Sequence, residues 1–136
     1  MADYSVTAAN VIASLKASKA TGIAGTTIAA GQTLYIAADG TLGLYGANGS
    51  APANVFAGVA LDGGAAGQPI TYVKLDAAFQ PGFAINAGDI VIGSANAGAM
   101  APVTDLASGM YLTILGVGIG GNKMLLSPIA AGVAKA

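Results

Sequence analysis

Cysteine, histidine, tryptophan, arginine and glutamate are all missing from this 136-residue chain. Zero cysteine removes disulfides and thiolate metal sites. With neither His nor Cys, the familiar Ser–His and Cys–His nucleophile systems are unavailable. Charge is scarce as well: five Lys and six Asp make up 8% of residues, where an ordinary soluble domain carries about 25%. The formal net charge of −1 provides no basic field, so no nucleic-acid partner is expected. A surface with so few charges is poorly protected against association. Either Ser, Thr, Asn and backbone groups solvate a monomer, or much of the apparent surface is buried in an assembly. The charge deficit favours the assembly.

Mean hydropathy is +0.69, which raises the question of a membrane. Gly, polar and charged residues interrupt every apolar run before it reaches the ~20 residues a spanning helix needs. No membrane partner is therefore expected. The start, Met1-Ala2-Asp3-Tyr4, is acidic and no charged segment leads into an apolar one, so a signal peptide is not expected.

What is present is small and turn-forming. There are 21 glycines, and alanine inflates the 54% hydrophobic fraction. The length suits a single domain. Its core must rest on Val, Ile, Leu and a few aromatics, each worth roughly 1.5–3 kcal/mol when buried. The organising feature is a recurring phrase: Ala-Gly, a polar residue, then apolar residues in strand order. It occurs at Ala29-Ala30-Gly31-Gln32, Ala65-Ala66-Gly67-Gln68 and Asn86-Ala87-Gly88-Asp89, with a looser copy at Ala107-Ser108-Gly109-Met110. Each reads as a turn that launches a strand, so Gly31, Gly67, Gly88 and Gly109 are structural turn glycines.

Residues 1–10 read as an extended N-terminal arm, with Tyr4 and Val6 alternating against polar neighbours. Val11, Ile12 and Leu15 fit a helical spacing, while residues 14–19 alternate; the reading is a short helical turn near residues 7–10 followed by a strand. Strands are expected at Thr33–Ile36, Thr41–Tyr45, Val55–Leu61, Ile70–Leu75, Ile90–Ile92, Met110–Val117 and Met124–Ser127. A two-residue hairpin is expected at Asp39-Gly40, and a turn at Phe79–Phe83. The domain spans 11–129, and 130–136 reads as a flexible C-terminal tail. The regular spacing of short strands predicts a mainly β fold with little helix, a compact antiparallel β-barrel or β-sandwich.

Gly116-Val117-Gly118-Ile119-Gly120-Gly121 matches the dinucleotide fingerprint formally, but Asn122-Lys123-Met124-Leu125-Leu126 after it reads as a strand. The pyrophosphate needs a helix N-terminus there, and the Lys-Ser/Thr ending of a P-loop is absent. Asp39 and Asp62 precede Gly and are explained as turn residues. Asp89 fills the slot that holds Gln in two other copies of the phrase, so a turn role explains it better than a glycosidase pair. No EF-hand spacing exists for calcium. Lys16 and Lys19 form a solvated patch, and Asn48-Gly49-Ser50 reads as a turn. No catalytic, cofactor or metal residues are nominated, and the chain is not expected to be an enzyme.

Thr7–Val11, the first phrase with Tyr35, Phe56–Leu61 joined to the second phrase, Ala101–Tyr111 and Leu115–Gly118 together carry a look. Over roughly residues 7–128 the chain resembles the small decoration (cement) proteins of tailed bacteriophage heads. The resemblance implies a β-rich module, commonly a homotrimer. It would be made in the bacterial host cytoplasm and sit on the outer surface of the virion capsid, bound to major capsid protein and clamping its subunits. Asp3, Tyr4 and Val6 are the candidate arm for contacts to the capsid or a neighbouring copy. The alternative is a carbohydrate-binding or adhesion module of a fibre or tail.

Overall fold

The computed structural model describes residues 3–136. The fold is mainly β. Its strands are β1 (Val11–Ile12), β2 (Ser18–Ile23), β3 (Thr33–Ile36), β4 (Leu42–Leu44), β5 (Gly58–Ala60), β6 (Pro69–Pro81), β7 (Ile90–Gly93), β8 (Met100–Pro102), β9 (Tyr111–Gly120) and β10 (Lys123–Ala134). Among the described residues, helix is confined to two 3-10 turns, Ala8–Asn10 and Val103–Asp105. The first agrees with the short turn expected near residues 7–10.

β6 is the spine. The sheet runs β4-β3-β5-β6-β10-β9-β7-β8, and β1 and β2 also pair with β6. The early part of β6 lies between β2 (Ala20↔Tyr72, Gly22↔Ile70) and β5 (Val59↔Val73). Its late part pairs with β10 (Met124↔Phe79, Leu126↔Asp76) and β1 (Val11↔Pro81). One 13-residue strand therefore serves two half-structures. All the ladders between named strands are antiparallel.

In the first half the sheet closes on itself. β4, β3, β5, β6 and β2 follow in order, and a parallel bridge between Ala24 and Leu42 joins the ends. The Gly25 N–H donates to the Leu42 carbonyl at 2.8 Å. Ile28, Leu34, Leu42, Ala60, Ile70 and Tyr72 fill this small barrel. Its bore is narrow, which explains the small residues: a Cβ at Gly22 would meet Leu42 Cδ1 at 3.0 Å. In the second half β6, β10, β9, β7 and β8 curl without closing, over Val91, Phe79, Phe83, Leu115, Met124 and Leu126. A third cluster joins the halves, where buried Tyr45 packs with Ile92 and Met110 and its hydroxyl donates to Thr113 Oγ1 at 3.0 Å. The Tyr45 ring fits because residue 93 is glycine; a Cβ there would come within 2.2 Å of it.

The recurring phrase has one geometry in all four copies. Its fourth residue donates its N–H to the carbonyl of its first (Gln32 to Ala29, Gln68 to Ala65, Asp89 to Asn86, Met110 to Ala107) at 3.1–3.2 Å. The glycine between them has φ near +90°: Gly31 +89°, Gly67 +91°, Gly88 +89° and Gly109 +89°. This is a type II turn, which needs φ > 0 at its third position. The fourth side chain folds back to accept the N–H of the first residue: Gln32 from Ala29 (2.9 Å), Gln68 from Ala65 (2.7 Å), Asp89 from Asn86 (3.0 Å), and Met110 through sulfur from Ala107 (3.2 Å).

Each turn then clamps one distant residue. The Gly31 N–H donates to the Ala60 carbonyl, and the Ala60 N–H donates to Gln32. Gly67 and Gln68 hold Ala24 in the same way, Gly88 and Asp89 hold Gly118, and Gly109 and Met110 hold Lys135. Two residues oppose one across the pair, the first a glycine with positive φ, which is a G1 bulge. The phrase is thus a stitch that starts a strand and fastens another.

Several expectations change. β6 runs through the turn expected at Phe79–Phe83 as far as Pro81, because β1 and β10 pair with that stretch; the chain turns at Gly82, where φ is +88°. Asp39-Gly40 does not form a two-residue turn. Gly40 alone has positive φ there, the Gly40 N–H donates to Ala37 and the Ala37 N–H to Thr41, so the loop is the three-residue type with a terminal bulge. Val55–Leu61 shortens to Gly58–Ala60. The tail expected from Ala130 is instead the end of β10, paired with β9 (Ala130↔Thr113, Ala134↔Tyr111) and held by the Gly109 stitch. Gly116–Gly121 lies in β9 and a hairpin, with no helix behind it.

Candidate functional site

Asp3, Tyr4 and Val6, the candidate arm for capsid or inter-subunit contacts, are also engaged by their own chain. Asp3 accepts from the Ser94 hydroxyl (2.6 Å) and the Asn96 amide (2.8 Å). The Tyr4 N–H donates to Met100 O at 2.9 Å, and its ring stacks on Phe83 with centroids 4.1 Å apart. Val6 lies over two glycines: a Cβ at Gly31 would come 2.4 Å from Val6 Cγ1, and one at Gly82 would come 3.2 Å from it. The engagement has a physical reason. Phe83, Gly31 and Gly82 create an apolar seat that alternation in residues 3–7 cannot reveal. Gly31 therefore serves the arm and the stitch together, whereas Gly67, Gly88 and Gly109 have open space around a hypothetical Cβ and serve the turn alone.

The outer face of the open half carries an apolar row. Ile90 pairs with Val117, and Val117 with Leu125. Register partners share a face, so these three side chains form a row across β7, β9 and β10. Ile119, two positions on from Val117, extends it. Ile90, Ile119 and Leu125 are exposed. A solvated antiparallel face normally carries polar side chains at such positions. Beyond Leu126, β10 pairs with β9 alone, and Ile129 and Val133 are exposed there.

A second feature sits at the corner of β6. Asp76 is buried and accepts from the Ser14 N–H (2.7 Å), the Ser14 hydroxyl and the Ala78 N–H (3.0 Å). Burial pushes its carboxyl up, but the Ser14 and Ala78 hydrogen bonds and nearby Lys19 outweigh this and hold it below the usual carboxylate range. The anchored loop displays Leu15 fully exposed. Lys16 follows it in sequence, and Lys19, four residues on, is registered with Val73 next to Lys74. Sequence spacing groups Leu15 with Val11 and Ile12 on one helical face; the structure buries Val11 alone. No signal in the spacing marks Leu15 as exposed, because its exposure follows from the long-range bond to Asp76.

Acid gathers elsewhere. Asp3 and Asp105 line one cleft of about 340 Å³ with Leu106 and Met110. Burial, Asp89 and Asp105, in that order, raise the Tyr4 phenol above its ordinary value. A third feature is a neutral cleft of about 410 Å³ lined by Ser5, Thr7, Asn10, Gln80 and Asn122. Among the described residues, no group of three or more acidic, His or Cys side chains could hold a metal ion, and no helix is long and apolar enough to cross a membrane. No family model and no curated protein matches the chain.

Proposed function

We propose that this chain is a structural virion protein that decorates the outer surface of a phage head and stabilises contacts between major capsid subunits. One observation carries the reading: an uncharged row of Ile90, Val117, Ile119 and Leu125 on the outer face of a rigid sheet. Left in water, such a row forfeits about 25 cal/mol for each Å² of apolar area; an exposed apolar face suits burial against another protein. The resemblance to decoration proteins supplies the partner class, and the homotrimer belongs to the same proposal. Neither the row nor the stitched turns supply groups for catalysis, so the reading assigns no reaction.

The test adds purified chain to DNA-filled heads that lack their decoration protein, taken from the phage that encodes it. Expected are saturable binding and less DNA release on heating or chelation of divalent cations. Heads that bind none of the chain at micromolar concentration overturn the proposal.

The neutral cleft favours the adhesion reading as the alternative. Its hydroxyls and amides suit an uncharged polyol, but its aromatic, Phe83, is buried against Tyr4 and offers no open platform. Glycan-array binding that is lost in Asn10→Ala, together with no affinity for heads, favours that alternative.

A further inference from the structure

We propose that copies of this chain associate head to tail, the Leu15 loop of one copy seating in the cleft between Asp3 and Asp105 of the next. The proposal rests on the self-association part of the reading above and is independent of the capsid, because it uses neither the Ile90–Val117–Leu125 row nor any capsid group.

The projecting part is preorganised. Ser14 is fixed to buried Asp76 by both its N–H and its hydroxyl, and the Ala17 N–H closes the turn onto Ser14 O at 3.2 Å. Leu15 and Lys16 sit between these bonds. Little loop entropy is left to lose when Leu15 is captured, which favours affinity. The leucine has nothing to cover it within its own chain.

The receiving part offers apolar lining and the opposite charge. Its cleft of about 340 Å³ has Ala101, Leu106 and Met110 as apolar lining and carries Asp3 and Asp105. Among the described residues, Oδ1 of Asp105 is buried without a donor, and an incoming cation would compensate that carboxylate. Lys16 adjoins Leu15 and Lys19 lies four residues on, while Asp3 and Asp105 line the cleft. A chain of net charge −1 is thus divided into a basic apolar projection and an acidic apolar socket. Their mutual complementarity identifies a second copy as the occupant. Because the two surfaces differ, the contact is heterologous, and it forms a ring if the rotation closes and a filament if it does not.

The experiment is sedimentation velocity on the full chain over a range of concentrations. Wild type is expected to assemble, less strongly at 0.5 M salt because exposed charge pairs are screened (on the order of 3–5 Å Debye length). Leu15→Asp and Asp105→Lys are each expected to weaken assembly by at least about 30-fold. Leu15→Ala and Lys16→Glu provide milder variants of the projection, and circular dichroism checks that all remain folded. The decisive step mixes Leu15→Asp with Asp105→Lys. One variant keeps an intact socket and the other an intact projection, so the mixture should give a heterodimer and nothing larger. The proposal is overturned by a strictly monomeric wild type, by unchanged assembly of Leu15→Asp, or by failure of the mixture to restore a dimer. Leu15-dependent binding to phosphatidylserine vesicles by a chain that stays monomeric also overturns it, in favour of a lipid surface. Binding to phage heads is scored separately, so failure here leaves the capsid reading standing, and the reverse.

Discussion

The two ends of β6 belong to differently built half-structures. Around residues 69–75 the strands are short, close into a ring through the Ala24–Leu42 bridge, and hide Leu34, Leu42 and Ile70 inside it. Around residues 76–81 the sheet includes the long β9 and β10, stays open, and leaves Ile90, Ile119 and Leu125 on the outside. Closure removes sheet edges and so removes the means of pairing with another chain. The open half keeps edges and an apolar face. The difference lies in closure, since both halves leave large apolar side chains outside: Ile23, Ile36 and Leu75 on the ring, Ile90, Ile119 and Leu125 on the curled sheet.

Six substitutions probe that contrast, from the largest effect to the smallest. Phe79→Ala empties the open half's core and Leu42→Ala empties the ring; each should cost about 2–5 kcal/mol. Since β6 runs through both halves, denaturant unfolding of either variant should remain one transition by fluorescence and circular dichroism. Two separated transitions would show that the halves are independent.

Asp76→Ala removes the acceptor at the corner where the halves meet and leaves the Ser14 and Ala78 N–H groups without it. A loss of roughly 2–3 kcal/mol is expected near neutral pH. The wild-type carboxyl is held low in the folded state. Its stabilisation is therefore present above the ordinary carboxylate range and is lost as pH falls through the folded value. Melting temperature against pH should drop at the acid end for wild type and be flatter for the variant; parallel curves contradict this role.

Gly31→Ala should cost more than Gly67→Ala. Both force an L side chain to φ near +90°, worth roughly 1–2 kcal/mol, but only Gly31 also displaces Val6. Equal losses in chemical denaturation would mean that the arm contributes nothing at that seat. Gln68→Ala, which deletes an exposed side-chain bond to the Ala65 N–H, should cost about 0.5–1 kcal/mol and leave the fold intact, measured the same way.

Much of the frame was legible in the sequence, for local reasons. Gly31, Gly67, Gly88 and Gly109 announce their turns because positive φ is a local demand, and β3 and β7 follow where turn and β-branched residues agree. Another turn of the same backbone type, Asn96–Ala99 with Gly98 at φ +81°, was hidden among small residues because no polar side chain follows its glycine. The ends of β6 and β10 were not legible, since pairing partners far along the chain decide how far a strand runs. The surfaces were the least legible of all. Exposure of Leu15 depends on Asp76, and the Ile90–Val117–Leu125 row depends on register between strands, which no single segment contains.

The central claim is that the apolar face of the open half is what the protein presents to a partner. It is tested most directly by saturation binding of wild type and Leu125→Glu to undecorated phage heads. The account predicts that wild type saturates at a fixed copy number per head, while the folded variant loses at least about tenfold in affinity. Equal binding of the two, or none by wild type, would contradict it.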